Sequence, residues 1–322
     1  MKKRTIAWLI AAIVLILAGC TLFASAMFAM GWDFSHFNTV KSEISEHVIH
    51  EKFENISIET TTADVIFVLS EDGVCKIVCS ESKDEPHIVS VTSGTLTISQ
   101  SENKMPFQIS FVSEQTKITV YLPQAEYTSL SAKASTGDIK IPKDLSFKTV
   151  DTQVSTGDVS CSASVSETLR IKTSTGNIRV NGVSANAIEL TASSGKITAS
   201  DIFCEEELRV KVSTGKAYLT DISCENLFSE GGTGDISLTN VIAKKDFSIT
   251  RSTGDVTFEN CDAGEIFVKT STGKIKGSLL SDKIFLTETN TGTVRVPKTE
   301  SGGKCELTTT TGSILIELLK EK

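Results

Sequence analysis

The stretch that decides the fold reads Leu169-Arg-Ile-Lys-Thr-Ser-Thr-Gly176-Asn-Ile-Arg-Val180. Apolar residues occupy every second position on both sides of the glycine, which is the period of a half-buried β-strand. The glycine itself is expected to bend the chain between two strands, because it adopts a positive φ at no steric cost. One copy therefore predicts two short strands joined by a tight turn.

The same phrase occurs ten times, and neighbouring copies are 19 or 20 residues apart. A fixed period in this range is typical of stacked repeat proteins. We predict that the glycine of each copy is a structural turn. These glycines are Gly137, Gly157, Gly176, Gly195, Gly215, Gly234, Gly254, Gly273, Gly292 and Gly312.

Two sets of apolar residues keep a constant phase relative to these glycines, and each is expected to stack in the core at the strand spacing of about 4.8 Å. The set before the glycine contains Leu169, Ile188, Leu208, Leu227, Phe247 and Ile266. The set after it contains Ile139, Val159, Ile178, Ile197, Ile236, Val256, Ile275, Val294 and Ile314.

The repeats thus predict an all-β fold, a parallel β-solenoid (a single-stranded β-helix) of about ten coils of 19–20 residues. The alternative is a run of antiparallel hairpins that close into a sandwich or barrel, which regular short strands also allow. Hairpins alternate in direction and would not require the same residue types at the same phase. A parallel solenoid does require this, since each residue lies over its counterpart, so we favour it.

The N-terminal residues have a different character. A basic cluster at residues 2–4 precedes an uncharged, mostly apolar run over residues 6–32. As a helix this run would be about 40 Å long, whereas a bilayer core is about 30 Å thick. We predict a cytoplasmic basic end at 1–5, one transmembrane helix at 6–32, and the bulk of the chain outside the cell membrane, because basic residues stay cytoplasmic.

A second interpretation of the same segment rests on Leu17-Ala-Gly-Cys20, which resembles a bacterial lipobox. Residues 6–16 would then be the apolar part of a signal peptide, and Cys20 would be lipidated after cleavage. The chain stays apolar after Cys20, which favours the uncleaved anchor. Both interpretations place the repeats on the outer side of a membrane.

After the anchor we predict a polar stalk at 33–52 and an extracytoplasmic solenoid at 53–322, with regular repeats from about residue 130. Residues 56–67 copy the phrase with Ala63 in place of glycine and indicate a degenerate first coil. Looser alternation then predicts strands at 76–80, 87–91, 95–99 and 117–122, as a non-repetitive part of the same solenoid. The charged C-terminus is expected to protect the terminal edge strand from pairing.

Seven cysteines remain besides Cys20, an odd number that offers no complete disulfide framework. Cys204 and Cys224 are one repeat apart and are expected to stack, as a pair of reduced buried thiols or, alternatively, as a disulfide. Cys75 and Cys79 have no histidine close to them in the sequence pattern, so no metal site is predicted there.

Four of the glycines are followed by an aspartate, and a stack of carboxylates could bind calcium. The same column also contains three lysines, which a cation site does not tolerate, so we expect a solvated polar rim. The acidic members are Asp138, Asp158, Asp235 and Asp255, and the basic ones are Lys196, Lys216 and Lys274.

The chain offers little for catalysis or for nucleic-acid binding. All four histidines precede the repeats, so no Ser-His-Asp set can form along them. A net charge of −8 provides no basic field for phosphate. We predict no enzyme activity, no catalytic or cofactor-binding residue, no cofactor and no nucleic-acid partner.

With its ten Ser-Thr-Gly-Asp/Lys-Ile/Val phrases, the chain resembles a bacterial family of β-strand-repeat proteins of unknown function, often labelled putative adhesins, over roughly residues 50–320. The resemblance implies a membrane-anchored solenoid at the cell surface, acting as a non-catalytic binding or scaffold module. Its partners would be the membrane, through the N-terminal anchor, and a cell-surface macromolecule or membrane protein. The alternatives are an accessory or sensor protein in envelope-stress regulation and, least favoured, a polysaccharide-active β-helix enzyme.

Overall fold

The computed structural model of the protein describes residues 3–29, 42–82, 86–100 and 116–319. The chain divides into two compact units, and helix α1 (Lys3–Ala29) belongs to the first of them. Its side chains are described without a gap from Ala12 to Ser25. Within the described residues, no helix has both the length and the apolar character that a membrane span needs.

Seven strands of the described residues precede the regular repeats. They are β1 (Ser42–Ile49), β2 (Asn55–Thr62), β3 (Asp64–Leu69), β4 (Cys75–Ser82), β5 (His87–Thr92), β6 (Thr95–Gln100) and β7 (Lys117–Leu122). The strands predicted at 76–80, 87–91, 95–99 and 117–122 are β4, β5, β6 and β7.

The repeats form the remaining strands, with a glycine at most of the breaks between them. The first half comprises β8 (Glu126–Thr136), β9 (Ile139–Ile141), β10 (Ser146–Thr156), β11 (Val159–Cys161), β12 (Ser164–Thr175), β13 (Ile178–Asn181), β14 (Ser184–Ser194) and β15 (Ile197–Thr214). The second half comprises β16 (Ala217–Thr233), β17 (Ile236–Thr253), β18 (Val256–Thr272), β19 (Ile275–Leu279), β20 (Lys283–Thr291), β21 (Val294–Arg295), β22 (Gly303–Thr311) and β23 (Ile314–Leu318).

All pairings between described repeat strands are parallel, and this confirms the solenoid. From β8 to β18 each coil lies on the next one in sequence order, with register such as Leu169↔Ile188 and Ile188↔Leu208. The two predicted apolar columns fill the core and are almost fully buried, with one exception, Val294, which is 42 % exposed.

Each repeat glycine has a φ between 125° and 156°, and each lies directly over an adjacent coil. A Cβ built on Gly215, for example, would overlap the carbonyl oxygen of Gly195. The N–H of Gly215 meanwhile donates to the carbonyl of Thr233 in the following coil, at 2.8 Å. The turn therefore needs glycine for two reasons, its backbone conformation and the close approach of adjacent coils.

The order of coils changes at the C-terminal end. Strand β18 pairs with β22, and β22 pairs with β20, so the last coil in sequence lies between the two that precede it. The terminal rung is therefore β20 with β21, which explains the exposure of Val294. Strand β23 is an inner rung between β19 and β21 and not the terminal edge, and the charged residues 320–322 that were expected to protect that edge lie outside the described residues.

The N-terminal end shows the same exchange of order. Strand β2 lies between β6 and β8, and β3 lies between β7 and β9, so the degenerate coil containing Ala63 is the second rung and not the first. Strands β4 and β5 pair antiparallel with β7 and β6, and we name them, together with β1, the N-terminal cap.

Part of the predicted stalk is also folded. Residues Ser42–Ile49 form β1, which pairs with β4, whereas residues 33–41 lie outside the described residues. The alternation of half-buried Ser45, His47 and Ile49 with exposed neighbours accounts for this strand, and their polarity hid it in the sequence.

Candidate functional site

A row of left-handed residues follows one corner of the solenoid. Six residues after five successive repeat glycines, the backbone has a φ of 53° to 69°. Asn and Asp tolerate this conformation better than other non-glycine residues do. We name this set the corner row: Gly182, Asp201, Asp221, Asn240 and Asn260.

Hydrogen bonds connect neighbouring members of the corner row. The amide of Asn240 donates to Oδ1 of Asp221 at 2.8 Å, and the amide of Asn260 donates to Oδ1 of Asn240 at 3.1 Å. The sequence analysis did not identify this row. The signal was present, because Gly, Asp or Asn occurs six residues after each of these five glycines.

A shallow groove runs beside the corner row. Its two adjoining parts have volumes of about 450 and 490 Å³ and share Ile242 as a lining residue. Phe203 and Ile242 expose 46 % and 36 % of their surface there, next to Asp201, Asp221 and Ser223. The groove thus offers apolar surface alongside a line of hydrogen-bonding groups.

A buried ion pair marks the C-terminal part of the groove. Lys283 is 3 % exposed, and its Nζ lies 2.7 Å from Oδ1 of Asp262 and 2.5 Å from Oγ of Ser281. Gly264 and Gly303 line the same part. Because a Cβ on Gly303 would overlap the carbonyl oxygen of Gly264, these glycines permit the close packing of the two coils here.

The acidic column after the repeat glycines is a hydrogen-bond ladder rather than only a solvated rim. Oδ1 of Asp138 accepts the backbone N–H of Asp158 at 2.8 Å, and Oδ1 of Asp158 accepts that of Asn177 at 2.7 Å. Asp235 and Asp255 are joined in the same way at 3.1 Å. Each of these carboxylates therefore accepts a hydrogen bond from the backbone of the following coil and links the two coils.

Charged neighbours stabilise the ionised form of this column. A hydrogen bond from Lys216, whose Nζ is 2.9 Å away, and one from the N–H of Asp255 keep the pKa of Asp235 below its ordinary value. Burial alone would raise the pKa of Asp158, but hydrogen bonds from Asn177 and Arg179 outweigh it and lower the pKa. Lys216, one of the three lysines that make a calcium site unfavourable here, is thus an ion-pair partner of an aspartate in this column.

The cysteines Cys204 and Cys224 face each other in register on β15 and β16, and both are free and buried. The Cys204 thiol donates to the carbonyl of Asn186 at 3.2 Å. Burial raises the pKa of Cys204 to about 11 and that of Cys224 to about 12, so both are thiols at neutral pH. Cys20, the candidate lipidation residue, is exposed on α1.

The N-terminal cap contains a buried polar cluster that the sequence analysis missed. Cys79 does have a histidine close to it, because β4 and β5 bring His87 and Glu81 to its side chain. His87 Nδ1 lies 2.5 Å from Oε2 of Glu81, and its Nε2 lies 3.0 Å from Oγ1 of Thr60. A spacing rule along the sequence could not find this set, since it depends on antiparallel pairing in the cap.

Thr60, His87 and Glu81 form a hydroxyl–imidazole–carboxylate chain like that of a hydrolase. Each of the three is only 4 % exposed, so a substrate carbonyl has no route to the hydroxyl. Burial and the charge of Glu81 raise the pKa of Cys79 to about 12, against a hydrogen bond from Ser45, so this cysteine is not an activated nucleophile.

Several solved structures resemble the chain. One is a putative lipid binding protein from Parabacteroides distasonis, with 17 % identity, a TM-score of 0.49, and coverage of 74 % of this chain and 95 % of that one. Others are putative adhesins from Parabacteroides merdae (14 %, TM-score 0.48, coverage 74 % and 96 %) and Bacteroides fragilis (14 %, TM-score 0.42, coverage 86 % and 97 %). All three scores are below 0.5, so these similarities do not bear on function.

No curated protein matches the sequence significantly. The family profile described as Toastrack DUF4097 matches twice, over residues 53–205 and 196–322. These two matches span the strands from β2 to the end of the solenoid and both of the exchanged ends. The chain belongs to the Toastrack DUF4097 family.

Proposed function

We propose that this protein is a non-catalytic binding module of the cell surface, and that the groove beside the corner row binds an extended ligand. The observation that carries the proposal is the exposure of Phe203 and Ile242 within a line of regularly spaced polar side chains. Exposed apolar surface flanked by polar groups is typical of interaction sites. A groove repeated coil by coil suits a ligand that is itself a repeating polymer.

The chemistry of the groove favours an uncharged glycan strand. Carboxylate and amide oxygens accept hydrogen bonds from sugar hydroxyls, and an aromatic face such as that of Phe203 packs on the apolar side of a sugar ring. Asp201 and Asp221 would repel a polyanion, as would the net charge of −8. Tight binding of small anions is not expected from this surface.

For the groove, we expect the Phe203→Ala variant to weaken binding of N-acetylglucosamine oligosaccharides about tenfold, since an anchor residue contributes more than about 1 kcal/mol. The measurement is isothermal titration of the full chain with the oligosaccharide. Phe267→Ala is the matched control, because Phe267 is 39 % exposed and does not line the groove. Equal affinities of the two variants, or no binding by the wild type, would contradict the groove assignment.

Membrane anchoring by residues 6–32 is the second part of the proposal. Its support is the sequence, which carries no charged residue from Ile6 to Trp32 after the basic cluster. In this arrangement the solenoid lies outside the cell, within reach of surface polymers.

If the anchor is an uncleaved helix, Cys20→Ala should change neither the membrane association of the protein nor its mass apart from the substitution. The reason is that the chain stays apolar from residue 21 to residue 32, where a lipoprotein normally becomes polar after its lipidated cysteine. Cell fractionation with intact mass spectrometry tests this. A lipidated, shortened form in the wild type that disappears in the variant would establish the lipoprotein instead.

A further inference from the structure

The cluster in the N-terminal cap brings three different metal-binding side chains together. Cys79 and Glu81 lie two residues apart on one face of β4, and His87 begins β5. The sulfur, one carboxylate oxygen and one imidazole nitrogen lie within 4.8 Å of one another, and all three residues are buried. A thiol, an imidazole and a carboxylate together form a set of ligands that zinc accepts.

Neighbouring residues hold the histidine and the carboxylate in fixed orientations. Thr60 on β2 contacts Nε2 of His87, which leaves Nδ1 facing the cluster. Ser45 on β1 donates to Oε1 of Glu81 at 2.9 Å, while Oε2 points to the imidazole and also accepts the backbone N–H of His87 at 2.8 Å. Metal-binding histidines are commonly oriented in this way, through a hydrogen bond of the other ring nitrogen.

We propose that Cys79, Glu81 and Nδ1 of His87 bind one Zn²⁺ ion, with water as the fourth ligand. Binding breaks the S–H bond of Cys79 and the N–H bond at Nδ1 of His87, whose proton lies in the 2.5 Å contact with Oε2 of Glu81, and it forms zinc–sulfur and zinc–nitrogen bonds. The thiol proton goes to solvent, and the imidazole takes up a proton at Nε2 in exchange for the one lost at Nδ1. Thiolate and carboxylate then balance the two positive charges of the ion, so the buried site has no net charge. With Nδ1 bound to zinc, the proton of the neutral imidazole is on Nε2, which donates a hydrogen bond to Oγ1 of Thr60.

The distances allow this with small side-chain movements. Bond lengths of about 2.0–2.3 Å in a tetrahedral site place the ligand atoms about 3.3–3.8 Å apart. Nδ1 of His87 and Oε2 of Glu81, now 2.5 Å apart, would have to separate by roughly 1 Å as the ion enters. The ion would join β4 to β5, and Thr60 would link them to β2 in the stack.

The test is a zinc titration of the full-length chain, reduced and metal-free, in competition with a chromogenic chelator. We expect one zinc ion per chain, and a drop in affinity of at least about tenfold in both Cys79→Ser and His87→Gln. Cys75→Ser is the matched control, because Cys75 is buried on the same strand but lies outside the cluster. Thr60→Val, which removes only the orienting hydroxyl, should weaken binding about 10–100-fold.

Cobalt substitution gives a second readout that does not depend on affinity. A sulfur-to-cobalt charge-transfer band is expected in the wild type and in Cys75→Ser, and it should be absent in Cys79→Ser if that variant retains its β-sheet circular dichroism. Absence of zinc binding by the folded wild type, or binding that persists unchanged in Cys79→Ser and His87→Gln, would overturn the proposal. The cluster would then be a hydrogen-bonded element of the cap alone.

Discussion

Gly215→Ala is expected to destabilise the solenoid by about 4 kcal/mol or more, an effect that single substitutions reach only through steric overlap or a comparable mechanism. The new Cβ would overlap the carbonyl oxygen of Gly195, a backbone atom that cannot rotate away. A φ of 141° adds strain of about 1–3 kcal/mol for a residue with a side chain. The midpoint of urea denaturation, followed by circular dichroism, measures the loss.

Two control variants separate the overlap from the other contributions. Gly182→Ala also places a side chain at positive φ, 69°, but its Cβ would meet no atom within 4 Å, so we expect a loss of only about 1 kcal/mol. Lys216→Ala removes an exposed ion pair with Asp235, and we expect it to shift the urea midpoint least of the three variants. If Gly215→Ala destabilises the protein no more than Gly182→Ala does, close packing between coils is not the reason for the repeat glycines.

The middle of the fold could be predicted from the sequence because period and phase are direct consequences of stacking. A residue such as Leu208 contacts its equivalents one repeat away, Ile188 and Leu227, and so all three must be apolar. The sequence therefore carries the register of every coil between β8 and β18.

The order of the terminal coils could not be predicted in this way. Either the coil of Gly292 or the coil of Gly312 could stack on the coil of Gly273, and the repeat pattern would look the same in both cases. The pattern encodes the position of each residue within its coil and not the order in which the coils stack. The connection between β21 and β22 contains Pro297, which cannot donate to a ladder, together with Gly302 at a φ of 108°. These residues indicate an irregular link, but they do not specify that it returns to an inner level.

The candidate sites were missed for different reasons. The corner row is present in the sequence as a second column, of Gly, Asp and Asn. It is a weaker sequence signal than the repeat glycines, because its residue type varies from coil to coil. The Cys79, Glu81 and His87 cluster depends on β4 and β5 pairing antiparallel with β7 and β6, in a region without repeats. Because β4 and β5 pair with two different strands, no periodic rule in the sequence places this cysteine next to this histidine.

The second prediction concerns a charge inside the core. Arg251 is 1 % exposed and occupies an inward position where other coils have small side chains, such as Thr173 and Thr270, whose hydroxyls donate to a glycine carbonyl. Its Nη2 donates to Ser229 at 3.0 Å, but within the described part of the chain Nε and Nη1 have no partner. Gly231 in the preceding coil leaves the space that the guanidinium fills, since a Cβ there would overlap Nη1.

We expect Arg251→Met to stabilise the protein by about 1–4 kcal/mol, because a buried charge without full compensation is often less stable than an apolar side chain of similar volume. Burial lowers the pKa of Arg251 to about 10, so the residue is still charged at neutral pH and its desolvation is not relieved by losing the proton. The measurement is the urea midpoint of the variant against the wild type, at neutral pH.

Ser229, which accepts a hydrogen bond from the guanidinium, provides a second test through a double-mutant comparison. Ser229→Ala alone should destabilise, since it removes the hydrogen bond that Nη2 of this buried charge makes, at a cost of about 1–3 kcal/mol. In the Arg251→Met background the same substitution should be neutral or favourable, because the serine hydroxyl has then lost its donor and is itself buried. Additive effects of the two substitutions, or a lower midpoint for Arg251→Met, would mean that the arginine is better compensated than these contacts indicate. A sign change between the two backgrounds would instead show that the incompletely paired charge of Arg251 lowers the stability of the stack.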